Sequence, residues 1–158
     1  MKRINLLAVP TDESTSPKGR YRRFSQDISE AMRQGNGEKS RATPWPFDVE
    51  LVRLPPRAVN WPYHAHSAQW EFYMIVAGRG QVRTPAGTTD VREGDYLLHP
   101  PGEAHQLINT GATDLIYYVV ADNPASDVCH YPDSNKVSVP GQAKPLQIRP
   151  TEYFDGEE

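Results

Sequence analysis

Cysteine is nearly absent from this 158-residue chain, which carries one, Cys129. A single thiol closes no internal disulfide and builds neither a zinc ribbon nor a CxxC redox site, so a stapled secreted fold is not expected. Long hydrophobic runs are missing too. The longest, Leu115 to Ala121, falls far short of the roughly 20 residues of a membrane-crossing helix. The apolar stretch after Met1 is interrupted by Asn5 and is shorter than the core of a secretory signal. A cytoplasmic protein without membrane contact is expected. Excess positive charge is lacking as well: 17 Lys and Arg against 20 Asp and Glu give a net charge of −3. That leaves no electrostatic footprint for nucleic acid or an anionic lipid surface. No repeat of solenoid or propeller length is present.

Turn formers, by contrast, are abundant, with 15 prolines and 11 glycines, and they divide the chain into three zones. Residues 1–46 form a polar N-terminal arm. In it, Phe24 to Gln34 reads as a short helix with Ser25 as N-cap, Gly35 past its end and an apolar stripe of Ile28, Ala31 and Met32. The basic run Lys18-Gly19-Arg20-Tyr21-Arg22-Arg23 reads as a solvated segment or docking arm. Residues 47–121 hold short β-branched and aromatic segments: Phe47 to Leu51, Glu71 to Val76, Gln81 to Thr84, Tyr96 to His99 and Leu115 to Ala121. Between them lie turn signals such as Pro85-Ala86-Gly87 and Glu93-Gly94-Asp95. This rhythm predicts an all-β sandwich or barrel. Residues 122–158 form a proline-rich C-terminal extension, expected to pack on the barrel or on a partner subunit, with a disordered tail as the alternative.

Chemistry concentrates in the middle zone. His64 and His66 stand at i and i+2, which on a strand puts both imidazoles on one face, about 6.6 Å apart. Glu71 opens the next strand, where a buried carboxylate is costly unless it is paired or bound to a cation. His105 follows the turn Pro100-Pro101-Gly102. Three imidazoles and one carboxylate suit a divalent first-row ion with positions left open.

These residues carry a resemblance. Residues 58–78 and 94–109 resemble the two motifs of the cupin superfamily. The first fits at His64, His66, Glu71 and Gly78, with Ala58 where a leading glycine would stand; the second fits at Gly94, Pro100, Gly102, His105 and Asn109. Asn60-Trp61-Pro62-Tyr63, Tyr131-Pro132-Asp133-Ser134 and the acidic end are similar to a group of bacterial single-domain cupins. The resemblance implies an all-β cupin double-stranded β-helix, a jelly-roll-like barrel, with a short N-terminal helix and extended terminal arms. It implies His64, His66, Glu71 and His105 as ligands of one divalent transition metal (Fe, Mn, Zn or Ni), a pocket in the barrel interior, and a homodimer. It leaves the reaction open.

Around the ligands, Tyr73 shares the parity of Glu71 and is a pocket candidate, as are His99 and Gln69. Each also reads as ordinary structure: a satisfied buried hydroxyl, a strand end, a loop residue. Cys129-His130, lacking a third partner in sequence, reads as structural. The expected function is a metal-dependent oxygenase, isomerase or lyase acting on a small organic molecule. A metal-organised module that binds a sugar-like ligand without converting it is the alternative. No general base can be named from the sequence.

Overall fold

A computed structural model describes residues 1–34 and 45–157. The chain runs through strands β1 (Asp12–Thr15) and β2 (Arg22–Asp27), helix α1 (Ile28–Gln34), then β3 (Phe47–Leu54), β4 (Ala65–His66), β5 (Glu71–Ala77) and β6 (Arg79–Thr84). It continues with β7 (Gly87–Arg92), β8 (Tyr96–His99), β9 (Gln106–Ile108), β10 (Leu115–Asp122), β11 (Cys129–Tyr131), β12 (Lys136–Ser138) and β13 (Leu146–Gln147). The expected all-β architecture with one short helix is what the chain adopts.

Three antiparallel ladders form: β1-β2-β3-β10-β5-β8, β13-β12-β11-β4 and β7-β6-β9. Val52, Leu54, Tyr73, Ile75, Leu115 and Tyr117 of the first share one buried core with Val82, Val91 and Leu107 of the third. The two sheets therefore face each other, and each such aliphatic side chain contributes roughly 1.5–3 kcal/mol by leaving water. Among the described residues the ladders do not close into a continuous barrel. They are joined by single bridges instead, Val59 to Ile108 and His64 to His105.

The N-terminal arm differs from expectation. Phe24 does not begin a helix. Residues 24–27 pair with β3, Phe24 opposite Arg53 and Asp27 opposite Glu50, so sheet pairing overrides local helix propensity. The helix starts only at Ile28. Its cap is Asp27, whose Oδ1 accepts the Glu30 N–H at 2.8 Å, not Ser25. Its buried side chains are Ser29 and Arg33 rather than the apolar stripe. Gly35, expected past its end, lies outside the described residues.

Three motif positions have structural work. Gly78 sits at φ +83°, and a Cβ there would meet the Asp114 carbonyl oxygen at 2.2 Å. Asn109, fully buried, donates to the Leu54 and Thr113 carbonyls and accepts the Gly111 N–H, all at 2.8 Å, tying the β9–β10 connection to β3. Ala58 is buried without left-handed backbone; the neighbouring Arg57 adopts φ 65° instead, so the turn needs no glycine at 58.

Candidate metal centre

The bridge between His64 and His105 is a pair of backbone hydrogen bonds, His64 N–H to His105 O at 3.2 Å and His105 N–H to His64 O at 2.8 Å. It places the two imidazoles side by side, ring centroids 4.8 Å apart. β4 carries His66 next to them, 5.1 Å from the His64 ring. β5 enters alongside with Glu71. Ligating atoms of His64, Glu71 and His105 all lie within 4.8 Å of one another, and Nε2 of His66 is 3.9 Å from Glu71 Oε2. The structure thus gathers all four residues expected from the sequence, His66 joining through Glu71 and His64.

Each histidine is oriented from behind. Nδ1 of His64 donates to the Pro62 carbonyl at 2.8 Å, Nδ1 of His66 to Asp127 Oδ2 at 2.6 Å, and Nδ1 of His105 to the Glu103 carbonyl at 3.2 Å. A carbonyl or an ionised carboxylate only accepts, so the Nδ1 proton is fixed in all three rings. That leaves Nε2 as the remaining nitrogen of each ring, and Nε2 of His66 and of His105 faces Glu71. Nε2 of His105 stands 2.7 Å from Glu71 Oε2, a separation at which two electron-pair donors need a proton or a cation between them. Burial, and then His105, lower the His64 pKa to about 4, so this ring is neutral at physiological pH. Burial opposes the charge on Glu71, but the His105 hydrogen bond and the surrounding imidazoles outweigh it and hold the carboxyl below its ordinary range. Imidazoles held at Nδ1 around an ionised carboxylate are the donor set that a divalent transition metal requires. The residues present fit such an ion.

The three pocket candidates fall as follows. The Tyr73 hydroxyl, buried, donates to Glu71 Oε2 at 3.1 Å and lies 3.3 Å from His105 Nε2. Burial and then the Glu71 charge push its pKa well above 10, so it is a fixed O–H donor. His99, opposite Glu71 across β5 and β8, stacks on the His105 ring at 4.0 Å. Its Nδ1 meets Glu103 Oε1 at 3.1 Å, and its Nε2 is buried with no hydrogen-bond partner among the described residues. Gln69 is spent on structure, its amide donating to the Asp122 carbonyl at 2.6 Å, although it also borders the adjoining cavity.

Several participants were not read from the sequence. Asp127, in the C-terminal extension, accepts from His66 and from the Ala68 and Gln69 amides at 2.8 and 3.3 Å. Cys129, read as structural, pairs with His66 across β11 and β4. Its sulfur falls within 4.8 Å of His64 and His66 ligand atoms; burial raises the thiol pKa to about 11. His130 alternates to the opposite side of β11. Only sheet register brings Asp127 and Cys129 here, and register across 61 residues leaves no local signal.

A cavity of about 510 Å³ opens beside Glu71. Its walls include Arg23, Asp27, Arg33, Asp48 and Glu50. The basic run expected to be solvated therefore sends Arg23 inward, where its guanidinium pairs with Glu50 at 2.8 and 3.1 Å and covers the Trp61 ring at 4.2 Å.

A double-stranded β-helix with a His/Glu cluster between its sheets defines the class. Residues 50–121 match the cupin domain family. The chain has the cupin double-stranded β-helix fold, and just under half of it carries the family match. It is 32% identical over 69 residues to an oxalate-binding protein of Thermotoga maritima, covering 44% of this chain and 56% of that protein; the chain thus spans little more than half the length of this curated relative. A structure described as a sugar phosphate isomerase of the cupin superfamily, from Silicibacter pomeroyi, superposes with a TM-score of 0.70 at 25% identity over 85% of this chain and 84% of that one. Another, provisionally described as a sugar phosphate isomerase from Acidithiobacillus ferrooxidans, gives 0.74 at 18% identity over 92% of each chain. That likeness shows the fold, terminal arms included. No helix among the described residues is long and apolar enough to cross a membrane.

Proposed function

We propose that this cupin holds one divalent transition metal through His64, His66, Glu71 and His105 and acts on a small organic molecule by isomerase- or lyase-type chemistry. The observation that carries the reading is the common orientation of the three histidines: every Nδ1 is tied to an outer acceptor, and Nε2 of His66 and His105 stands 3.9 and 2.7 Å from Glu71 Oε2. The likeness to a structure described as a sugar phosphate isomerase supports the reaction type. A bound ion would supply Lewis acidity, polarising a carbonyl or hydroxyl oxygen of the substrate.

The chain's own groups do the rest. Tyr73 keeps its proton at neutral pH and presents it beside Glu71, where it can hydrogen-bond an oxygen on which charge develops. His99, held neutral by burial and then by His105, offers its unpartnered Nε2 as a second hydrogen-bonding atom. Val52 and Tyr117 pack with Tyr73 in the buried core behind this polar layer and fix its position.

The decisive experiment is elemental analysis of protein purified without chelator or metal-affinity resin, beside His105→Ala. About one equivalent of Fe, Mn, Zn or Ni in the wild type, lost in the variant, is the expected result. Little metal in either, even after reconstitution, overturns the proposal and leaves an apolar-pocket binder or a structural barrel. Iron alone would move the chemistry to oxygenase type. We further propose a homodimer formed through the exposed outer face of the first sheet, where Phe72 and Val76 of β5 lie beside Tyr96 and Leu98 of the edge strand β8.

A further inference from the structure

The cavity beside Glu71 has a charge balance that bears on what enters it. On the inward face of the first sheet, register aligns Asp48, Ala121 and Glu71 in one row and Asp27, Glu50, Val119 and Tyr73 in the next. Four carboxylates (Asp27, Asp48, Glu50 and Glu71) therefore face two guanidiniums, Arg23 and Arg33. The lining is two charges negative, and a divalent ion at Glu71 brings it to zero.

Neither guanidinium stands free to neutralise an anion. Arg23 is held at both Nη atoms by Glu50. Arg33, 2% exposed, is ion-paired to Asp48 and has Glu30 at 3.7 Å. Nε of Arg33 and Nε of Arg23 are buried with no hydrogen-bond partner among the described residues. One N–H of a neutralised pair suits a hydroxyl oxygen, and the carboxylates beside it accept hydroxyl protons. With a divalent ion at Glu71 the lining carries no excess positive charge, so nothing in it offsets the cost of taking a dianion out of water. Asp48 and Glu71 sit two strands apart, about 10 Å.

We infer that this cavity takes an uncharged polyhydroxylated molecule, an aldose or polyol, in preference to a phosphate monoester or a dicarboxylate. The inference rests on the metal-site reading above and sets the substrate's charge.

The test is calorimetric titration of the metal-loaded full chain with D-glucose, D-mannose and xylitol, against the phosphate monoesters of the two sugars and oxalate. At least one uncharged compound should bind saturably, and each phosphate should bind at least about tenfold more weakly than its parent sugar. Glu50→Gln should narrow that ratio, by removing one negative charge and one acceptor. Asp27→Asn, which leaves the Arg23–Glu50 pair intact, should move the ratio the same way. A phosphate or oxalate binding more tightly than the uncharged compounds, or no uncharged compound binding, overturns the inference. Metal content of the same samples separates the two readings. Full metal with tighter phosphate binding removes only the substrate class, whereas no metal and no sugar binding removes both.

Discussion

Asp127 offers a sharp test of the metal centre, because it is reached through the fold and not through any ligand motif. Its carboxylate takes the His66 Nδ1 proton at 2.6 Å, fixing the tautomer that leaves Nε2 to bind, and also holds the turn before β5 through the Ala68 and Gln69 amides. Burial disfavours its charge, but the His66 hydrogen bond and those two amides win, so the carboxyl titrates below its ordinary range and stays ionised at neutral pH. Loss of such an outer partner typically weakens metal binding by about 10–100-fold, or about 1.4–2.7 kcal/mol. Asp127→Asn keeps an acceptor and loses only the charge, so it belongs near tenfold. Asp127→Ala leaves His66 free to rotate and belongs near the upper end. Binding should weaken and not vanish, since His64, Glu71 and His105 keep their own supports. The assay is competition for Zn²⁺ against a chromogenic chelator, with melting of the metal-free protein run in parallel to detect loss of fold. A dissociation constant for Asp127→Ala within about threefold of wild type, in a protein that melts normally, would show that His66 needs no such support and would refute the reasoning.

Three further outcomes are expected. His64 has a folded pKa of about 4 against 6.5 in the unfolded chain, so as pH falls through that window the unfolded state takes up a proton that the native state refuses. Metal-free stability should be full above about pH 6.5 and drop by about 3 kcal/mol toward pH 4; melting curves of wild type and His64→Gln should show the variant flatter across the window, and equal slopes would contradict the assignment. Gly78→Ala combines a left-handed backbone with a Cβ 2.2 Å from Asp114 O, while Gly102→Ala has the same backbone hand and open space. The first should cost about 3 kcal/mol or more and the second about 1 kcal/mol in chemical denaturation; similar losses would mean that close approach to β10 is not what position 78 demands. For the dimer, light scattering should give twice the monomer mass, and Leu98→Lys on the exposed face should shift it toward the monomer without changing the melting of the subunit. A monomeric wild type sinks the interface.

The fold and the four candidate ligands were legible because the information is local. His64 and His66 declare their shared face by spacing alone, and strands such as Tyr96–His99 are bounded by glycines and prolines that end pairing on the spot. The β2–α1 boundary was not legible. Residues 24–27 carry a passable helix pattern, and it takes β3, more than 20 residues further on, to draw them into a sheet. Asp127 and Cys129 were hidden for the same reason: nothing near them in sequence says that β11 pairs with β4.

The same contrast accounts for what the ligand motif leaves unsaid. The residues that would hold a metal lie on or just before β4, β5 and β9, a compact stretch whose spacing repeats a recognisable pattern. Most of the residues lining the cavity lie on β2, α1, β3 and β10, elements that read in sequence as an arm, a helix and two ordinary strands. Arg23 illustrates the difference. In the run Arg20-Tyr21-Arg22-Arg23 it is indistinguishable from its neighbours, yet strand alternation turns Arg22 toward Glu13 at the surface and Arg23 toward Glu50 inside. A family that keeps its motif residues can therefore keep its metal chemistry while the arm and the outer strands reset the charge of the cavity. The charge that the cavity favours is a property of Arg23, Arg33, Asp27, Asp48 and Glu50 as a set, and it has to be read from these side chains in each chain, not transferred with the motif.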